Sequence, residues 1–453
     1  MATRPKAAVL KKADPTVGLP PLNHHAAGID VGSAEHWVAV PPGCDPEPVR
    51  YFGSFTADLH RLADWLAACG VKTVAMESTG IYWIALFQVL EARGFAVHLV
   101  DARRAKSLPG RKSDLLDCQW LQKLHTFGLL NRCFRPTEEV CVLRSYLRQR
   151  ENLVAAATIS IQHMQKALAE MNVQLTNVIS DLTGTTGLAI LRAILQGERD
   201  PARLAELRDC RIQASPEEIA QSLVGTWREE LLFVLRQALE LYEVYQQKIA
   251  ACDAQVEAHL KGLPSKAAAD APLPPPKRNQ KPRKSAPQFD LRGQLYRVSG
   301  VDLTGIDGIN VLTAQTLISE IGLDMSAWPT EKHFASWLGL CPDHRISGGK
   351  ILRRGTRQVI NRAATAFRLA ASTLRNSKSA LGANFRRLRT RLGAPKAITA
   401  MAHKLARLVY RMLRYGKEYV DKGMEHYEAR YREQQVKWLT KQAQELKLQL
   451  IPV

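Results

Sequence analysis

The sequence predicts an α/β domain at the N-terminal end of the chain and a mainly helical remainder. Three observations lead to this prediction. Short apolar segments typical of strands alternate with helical segments between residues 26 and 135. Apolar residues then recur every seven positions between residues 136 and 180. Beyond residue 290 the apolar spacing is again helical, notably at 359–375 and 397–415.

These patterns divide the 453-residue chain into six parts. We expect a flexible segment at 1–25, the α/β domain at 26–135, a helical coiled-coil or dimerisation region at 136–263, a Pro- and Lys-rich linker or loop at 264–289, a mainly α-helical C-terminal domain at 290–420 and a final helix at 421–453.

The order of elements in the first domain predicts its fold. Three strands are followed by helix, strand, helix, strand and helix; the predicted strands are 26–32, 37–40, 49–55, 71–76 and 95–100. Such an order begins as an antiparallel meander and continues as βαβ units. It matches the ribonuclease-H-like layout, a mixed sheet with helices on both faces.

Four carboxylates lie where such a fold gathers its functional groups. Asp30 is on the first strand, and Glu77 closes the fourth. Asp114 and Asp117 stand three residues apart at the start of a helix. Four converging carboxylates cannot all stay ionised without a cation, and one or two Mg²⁺ ions suit a set of oxygen ligands. Taken singly, each carboxylate is equally well explained as a turn residue, a solvated strand end or an acidic helix start.

The seven-residue repeat predicts a long helix over 136–180, in a coiled coil, a long helical hairpin or an ordinary helical bundle. Its role is expected to be dimerisation or spacing. Arg150 interrupts one apolar seam, either to set the register or with its charge extended to solvent.

A glycine-rich turn with Gly305 and Gly308 precedes a helix that starts after Asn310. This pattern is similar to the hairpin of a helix-hairpin-helix, whose backbone N–H groups bind a DNA phosphate. The alternative is a tight turn that Asn310 caps. The sequence before the turn is a poor helix former, so the phosphate-binding interpretation is favoured only modestly.

Ser347 stands before two glycines in a strongly basic segment. Glycines let a phosphodiester approach the backbone, arginines bind its charge, and an activated serine can act as a nucleophile. The alternative is a Ser-Gly-Gly loop that merely turns the chain. Nucleic-acid contacts are predicted for Arg111, Lys112, Gly305, Gly308, Arg345, Lys350, Arg353, Arg354 and Arg357.

Charge predicts the class of partner. The formal net charge is +20, and residues 343–417 contain 19 Lys and Arg against one acid. An imbalance over this length indicates nucleic acid. The eight cysteines form no C-x-x-C pair, which is typical of reduced thiols. No signal peptide or membrane span is expected, so the prediction is a cytosolic or nucleoid-associated protein with no membrane partner.

Taken together, the motifs resemble those of insertion-sequence transposases of the IS110 type, the DEDD recombinases guided by a bridge RNA. The resemblance runs in motif order from Gly28 to about Tyr415 and rests on these segments: Gly28-Ile29-Asp30-Val31-Gly32, Met76-Glu77-Ser78-Thr79-Gly80, Gly110-Arg111-Lys112-Ser113-Asp114-Leu115-Leu116-Asp117, Gly305–Gly308, Leu338-Gly339-Leu340-Cys341-Pro342 and Ser347-Gly348-Gly349-Lys350. Ser113 and Cys118 stand where this family usually has threonine and alanine.

The resemblance implies a first domain of the Holliday-resolvase (RuvC) type, with Mg²⁺ bound by Asp30, Glu77, Asp114 and Asp117. It implies a C-terminal transposase domain whose Ser347 is the nucleophile that bonds to the DNA 5′-phosphate. The implied partners are donor and target DNA, a structured bridge RNA, and further copies of the chain in a homodimer or homotetramer with composite active sites. A metal, Asp101 or His344 would activate the serine.

Two other functions fit the same residues. One is a metal-dependent junction endonuclease that hydrolyses DNA with water. The other is a nucleic-acid-binding architectural protein without catalysis. A covalent protein–DNA adduct that depends on Ser347 would distinguish the first function from the recombinase, and cleavage that needs Mg²⁺ would exclude the second.

Overall fold

A computed structural model describes residues 18–78, 80–101, 114–268, 272–276, 286–353, 355–357, 359–416 and 423–448. The chain divides into two compact units, Met1–Arg135 and Pro136–Val453, and each is described by itself. Within the described residues, no helix combines the length and the apolar character needed to cross a membrane.

The first unit is built on a five-stranded mixed sheet. Its strands are β1 (Ala26–Val31), β2 (Glu35–Ala39), β3 (Val49–Gly53), β4 (Thr73–Glu77) and β5 (Ala96–Val100), in the spatial order β3-β2-β1-β4-β5. β1 pairs antiparallel with β2 and parallel with β4, and β5 continues the parallel part. Its helices are α1 (Thr56–Ala68), α2 (Trp83–Ala92) and α3 (Asp114–Thr126).

Alternation along β1 explains how helices come to cover both faces of this sheet. Ile29 is fully buried in a core with Leu62 of α1 and Leu86 of α2. Its neighbour Gly28 points the other way, and a side chain there would run into Gln122 of α3. The predicted mixed sheet with helices on both faces is therefore confirmed.

Two long helices organise the first part of the second unit. They are α4 (Glu138–Glu170) and α8 (Glu229–Gly262), with the short helices α5 (Thr185–Leu195), α6 (Pro201–Glu206) and α7 (Pro216–Ser222) between them in the chain. The two run antiparallel, because His259 of α8 bonds to the Glu139 carbonyl at 2.8 Å while the Thr226 N–H, just before α8, bonds to Met171 at 2.8 Å.

The extent predicted for the long helix is wrong at its C-terminal end. The helix stops at Glu170, Asn172 adopts a φ of 57°, and a separate 3₁₀ turn covers Leu175–Asn177. Arg150 neither reaches solvent nor simply interrupts the seam. It is 7% exposed and bonds to both carboxylate oxygens of Asp253, at 2.5 and 3.1 Å, which ties α4 to α8.

The remainder is mainly helical, with one small hairpin. The elements are α9 (Leu291–Ser299), α10 (Val311–Ile321), α11 (Glu331–Trp337), β6 (Arg345–Ser347), β7 (Lys350–Arg353), α12 (Arg362–Thr373), α13 (Ala380–Leu392), α14 (Ala394–Tyr415) and α15 (Gly423–Glu445). Phe334, Phe367 and Tyr410 form an aromatic core between α11, α12 and α14.

The described parts of the segments at 1–25, 264–289 and before the Gly305 turn make contacts that their sequences do not indicate. α9 precedes the Gly305 turn, although the sequence there is a poor helix former. Asp290 caps α9 by accepting the Gly293 N–H, and the apolar side chains of this helix are buried. Of the segment expected to be a linker or loop, Lys266 and Ala267 donate to the Arg297 carbonyl, so its start is tied to the end of α9. Of the segment expected to be flexible, residues 1–17 lie outside the described residues, whereas Leu22 and Asn23 bond to Thr126.

Candidate active site

The sheet of the first unit brings Asp30 and Glu77 to one edge. Ile29 of β1 pairs with Met76 of β4 in a parallel register, so Asp30 and Glu77 follow at the same level of adjacent strands. Residues at the same level of neighbouring strands lie on the same face of the sheet. Glu77 is 3% exposed, and its partner on β5 is Val100, the residue before Asp101. The carboxyl ends of three parallel strands thus carry three acidic residues.

Helix α3 lies directly on β1 because residue 28 is glycine. A Cβ at Gly28 would lie 2.4 Å from the Cys118 carbonyl oxygen and 2.2 Å from the Gln122 backbone nitrogen. Gln122 also donates to the Ala26 carbonyl at 3.3 Å. No other residue type leaves room for this approach, and it sets the distance between the carboxylates on α3 and Asp30, two residues beyond Gly28.

Cys118 lies on α3 where that helix contacts β1, and its thiol is affected by a charge on the strand. Cys118 is fully buried. Its burial, together with the negative charges of Asp30 and Asp117, raises the pKa of the thiol to about 12. Because Asp117 directly precedes Cys118 in α3, the informative neighbour is Asp30, whose charge reaches the thiol from β1.

The structure thus brings Asp30, Glu77 and Asp117 to one region of the first unit. Asp114 is the first residue of α3, one turn before Cys118, and its side chain lies outside the described residues, as do Arg111 and Lys112. Among the side chains that are described, no group of three His, Cys, Asp or Glu residues forms a ready metal site. The donors present are carboxylate oxygens, the chemistry that Mg²⁺ prefers.

Ser347 lies at the tip of a β-hairpin in the second unit. It pairs with Lys350 across the turn, and Gly348 and Gly349 adopt φ angles of 53° and 76°. Two positive φ angles define a type I′ turn, which joins two strands tightly and favours glycine at both positions. Ser347 and Lys350 are exposed and share one face, while the preceding pair, Ile346 and Ile351, lies on the other.

Of the other residues expected around Ser347, only some have side chains that the structure describes. Arg345 and Arg353 pair across the hairpin, but their side chains and all of Arg354 lie outside the described residues. Arg357 donates from Nη2 to the Ser336 carbonyl at 2.9 Å and so braces the end of α11. His344 is exposed and precedes β6 directly.

At the Gly305 turn, the structure shows the Asn310 cap, and phosphate binding by the turn stays a prediction. The Asn310 side chain accepts the Thr313 N–H at 2.8 Å and so caps α10. A Cβ at Gly308 would lie 2.6 Å from the Ala370 carbonyl oxygen, so this glycine is packed against α12. Gly305 has open space around it, which leaves its backbone approachable.

The sequence prediction missed the hairpin itself and the approach at Gly28. Gly348-Gly349 is a strong signal for a two-residue hairpin turn, but the flanking strands have only three and four residues. At Gly28 the available signal was a glycine two residues before Asp30 within a strand, a position where glycine often marks close backbone contact.

Two family models match the chain. A model of DEDD transposases of the IS110 type, described as Transposase, matches residues 27–173. A second, described as Transposase IS116/IS110/IS902 family, matches residues 302–386. Together they span slightly more than half of the chain; the first includes the four carboxylates and the second includes Ser347. No curated protein matches the chain significantly.

Proposed function

Because the chain belongs to the IS110-type transposase family, we propose that it moves its insertion sequence through a covalent serine–DNA link. The family establishes a DNA transposase. The serine link, the Mg²⁺ site and the guiding RNA are our proposals. The observation that supports the metal site is the parallel register that sets Asp30 beside Glu77, with α3 held close against β1 at Gly28.

The first unit would hold the metal. Asp30, Glu77, Asp114 and Asp117 supply only oxygen ligands, and a cation between them would offset their mutual repulsion. When bound, Mg²⁺ neutralises charge that develops on the phosphodiester during displacement. The chain's own contribution would be to fix α3 against β1 at Gly28, which holds the helix that carries Asp114 and Asp117 against the strand that carries Asp30.

The second unit would supply the nucleophile. Ser347 Oγ attacks the phosphorus of the scissile phosphodiester and its proton leaves to a base, for which His344 and Asp101 are the candidates. The Oγ–P bond forms as the P–O3′ bond breaks, so the 5′-phosphate stays on the serine, and the departing 3′-oxygen takes up a proton and leaves as a hydroxyl. A later attack by another 3′-hydroxyl reverses these changes and releases Ser347, so no ATP is needed. Lys350, paired with Ser347 across the hairpin, would hold the phosphate charge.

The nucleic-acid partners would be donor and target DNA together with a bridge RNA that pairs with both. The 19 basic residues against one acid over 343–417 supply charge without sequence preference, which suits a protein that leaves recognition to base pairing. Composite sites in a homodimer or homotetramer would combine the carboxylates of one copy with the serine of another.

Two alanine variants test the assignment. We expect Asp117→Ala and Ser347→Ala each to abolish strand exchange while DNA and RNA binding stay near wild type. The matched controls are Asp64→Ala, an exposed carboxylate of the same unit, and Ser372→Ala, an exposed helical hydroxyl. Both controls should exchange strands normally.

Trapping the intermediate separates the recombinase from a hydrolase. Denaturing gels of the wild-type reaction should show DNA joined to protein, and the adduct should vanish in Ser347→Ala. Cleavage that persists in Ser347→Ala without an adduct would instead indicate attack by water. Full exchange by either alanine variant would remove that residue from the proposed mechanism.

A further inference from the structure

The hairpin that carries Ser347 has two chemically different faces. Ser347 and Lys350 form the pair next to the turn, and Ile346 and Ile351 form the pair before it. Because successive pairs of a β-ribbon point to opposite sides, the polar pair and the apolar pair lie on opposite faces. A register shift between Arg345 and Ile346 leaves Leu352 as an extra residue in β7.

Among the described residues, this face and the bulged Leu352 beside it are left exposed. Ile346 is 63% exposed, Ile351 is 46% exposed and Leu352 is 70% exposed. Three large aliphatic side chains within seven residues of a two-stranded ribbon form a patch rather than the scattered exposure of a typical surface. Burying such side chains in a complex would be favourable, since apolar surface is removed from water.

The charge around the patch indicates the partner that covers it. Residues 343–417 combine 19 basic residues with one acid, so a polyanion is favoured at this surface. Lys350 is on the ribbon itself, one residue before Ile351. The carboxylates of another copy's first unit would also meet this charge, but DNA offers phosphates and apolar base surfaces together.

We propose that Ile346, Ile351 and Leu352 form an apolar wedge that contacts the bases of duplex DNA beside the phosphodiester that Ser347 attacks. This inference rests on the proposed function. The major groove of B-DNA admits a two-stranded ribbon, and aliphatic side chains in other DNA-binding proteins contact thymine methyls or separate a base step. A hairpin that enters the duplex at the cleavage step meets phosphate on its Ser347–Lys350 face and bases on its aliphatic face. Separating the step loosens the DNA locally and exposes the phosphorus to the serine.

Site-specific photo-crosslinking tests the contact without requiring catalysis. p-Benzoylphenylalanine replaces Ile351 in a Ser347→Ala protein, purified from cells so that any bound RNA is retained, and the probe is a labelled duplex DNA. The matched control carries the same group in place of Leu369, an aliphatic residue of α12 that is 64% exposed. We expect at least 10-fold more DNA crosslinking from position 351 than from position 369. Crosslinks from 351 only to protein or RNA, or none at all, would overturn the proposal.

Affinity measurements separate the wedge from the phosphate contact on the other face. Ile346→Thr and Ile351→Thr together keep the β-branched shape that a strand favours while removing apolar surface. The double variant should weaken duplex binding by roughly 10-fold with an unchanged salt dependence, because no phosphate contact is lost. Lys350→Ala should instead lower the slope of log K against log salt by about 1.

The outcomes keep the two proposals distinguishable. Unchanged affinity in the double threonine variant overturns the wedge even if the wild-type protein forms the serine adduct. A wild-type protein that forms no serine adduct but still crosslinks DNA from position 351 would show a DNA contact unrelated to Ser347. That result also overturns the wedge as proposed.

Discussion

Replacing Gly28 with alanine should disable strand exchange by moving a helix rather than by removing a functional group. A Cβ at position 28 would lie 2.2 Å from the Gln122 backbone nitrogen, and ordinary van der Waals contact begins near 3.4 Å. The obstructing atoms belong to the backbone of α3, which cannot rotate away as a side chain can. Helix α3 must therefore retreat from β1 by about 1.2 Å, the difference between these two distances.

Two magnitudes follow from this displacement. Overpacking of this kind costs about 1–3 kcal/mol of unfolding free energy. Moving catalytic groups by about 1 Å typically costs on the order of 100-fold in rate. Because α3 carries Asp114 and Asp117 while β1 carries Asp30, we expect Gly28→Ala to lower the exchange rate by about 100-fold, with most of the protein still folded.

The assay compares strand-exchange rates with urea unfolding of the same preparation. Gly262→Ala is the matched control, since a Cβ there meets no atom within 4 Å and the residue lies at the end of α8. That control should exchange strands at the wild-type rate. Wild-type exchange by a folded Gly28→Ala protein would refute the argument that this close approach sets the carboxylate geometry.

Three other contacts make measurable predictions. Asp253→Ala should cost about 3–5 kcal/mol in urea unfolding, because buried Arg150 loses its carboxylate partner; a cost below about 1 kcal/mol would contradict this. Burial, and secondarily His98, lower the pKa of His125 from 6.5 to about 4, so the neutral side chain stabilises the fold fully above pH 6.5. That stability, roughly 3 kcal/mol, is lost as the pH falls from 6.5 to about 4, and His125→Asn should flatten the pH dependence of thermal melting. Gly349→Ala forces an L side chain to a φ of 76°, which costs about 1–2 kcal/mol; exchange should fall several-fold, and an unchanged rate would contradict the need for the type I′ turn.

Much of the fold could be predicted because its signals are local. The alternation of strands and helices over residues 26–135 gave the mixed sheet, and helical periodicity gave α12 and α14 within a few residues. The end of α4 was missed because the apolar repeat continues past Glu170 while the backbone turns at Asn172. α9 was missed because its sequence is only weakly apolar, and its stability comes from packing and from the Asp290 cap.

The sequence by itself determined the element order of the first unit, the strong positive charge of the C-terminal half and the presence of chemically competent side chains, since these depend on composition and short spacing. Only the tertiary structure decided which distant residues meet. The parallel register places Asp30 beside Glu77, and Gly28 admits α3 close enough for the Asp30 charge to act on the Cys118 thiol. The ion pair between Arg150 and Asp253, which are 103 residues apart in the chain, likewise forms only when α4 packs against α8. Such pairings depend on how elements pack, and packing is settled by the whole set of buried contacts rather than by any one segment.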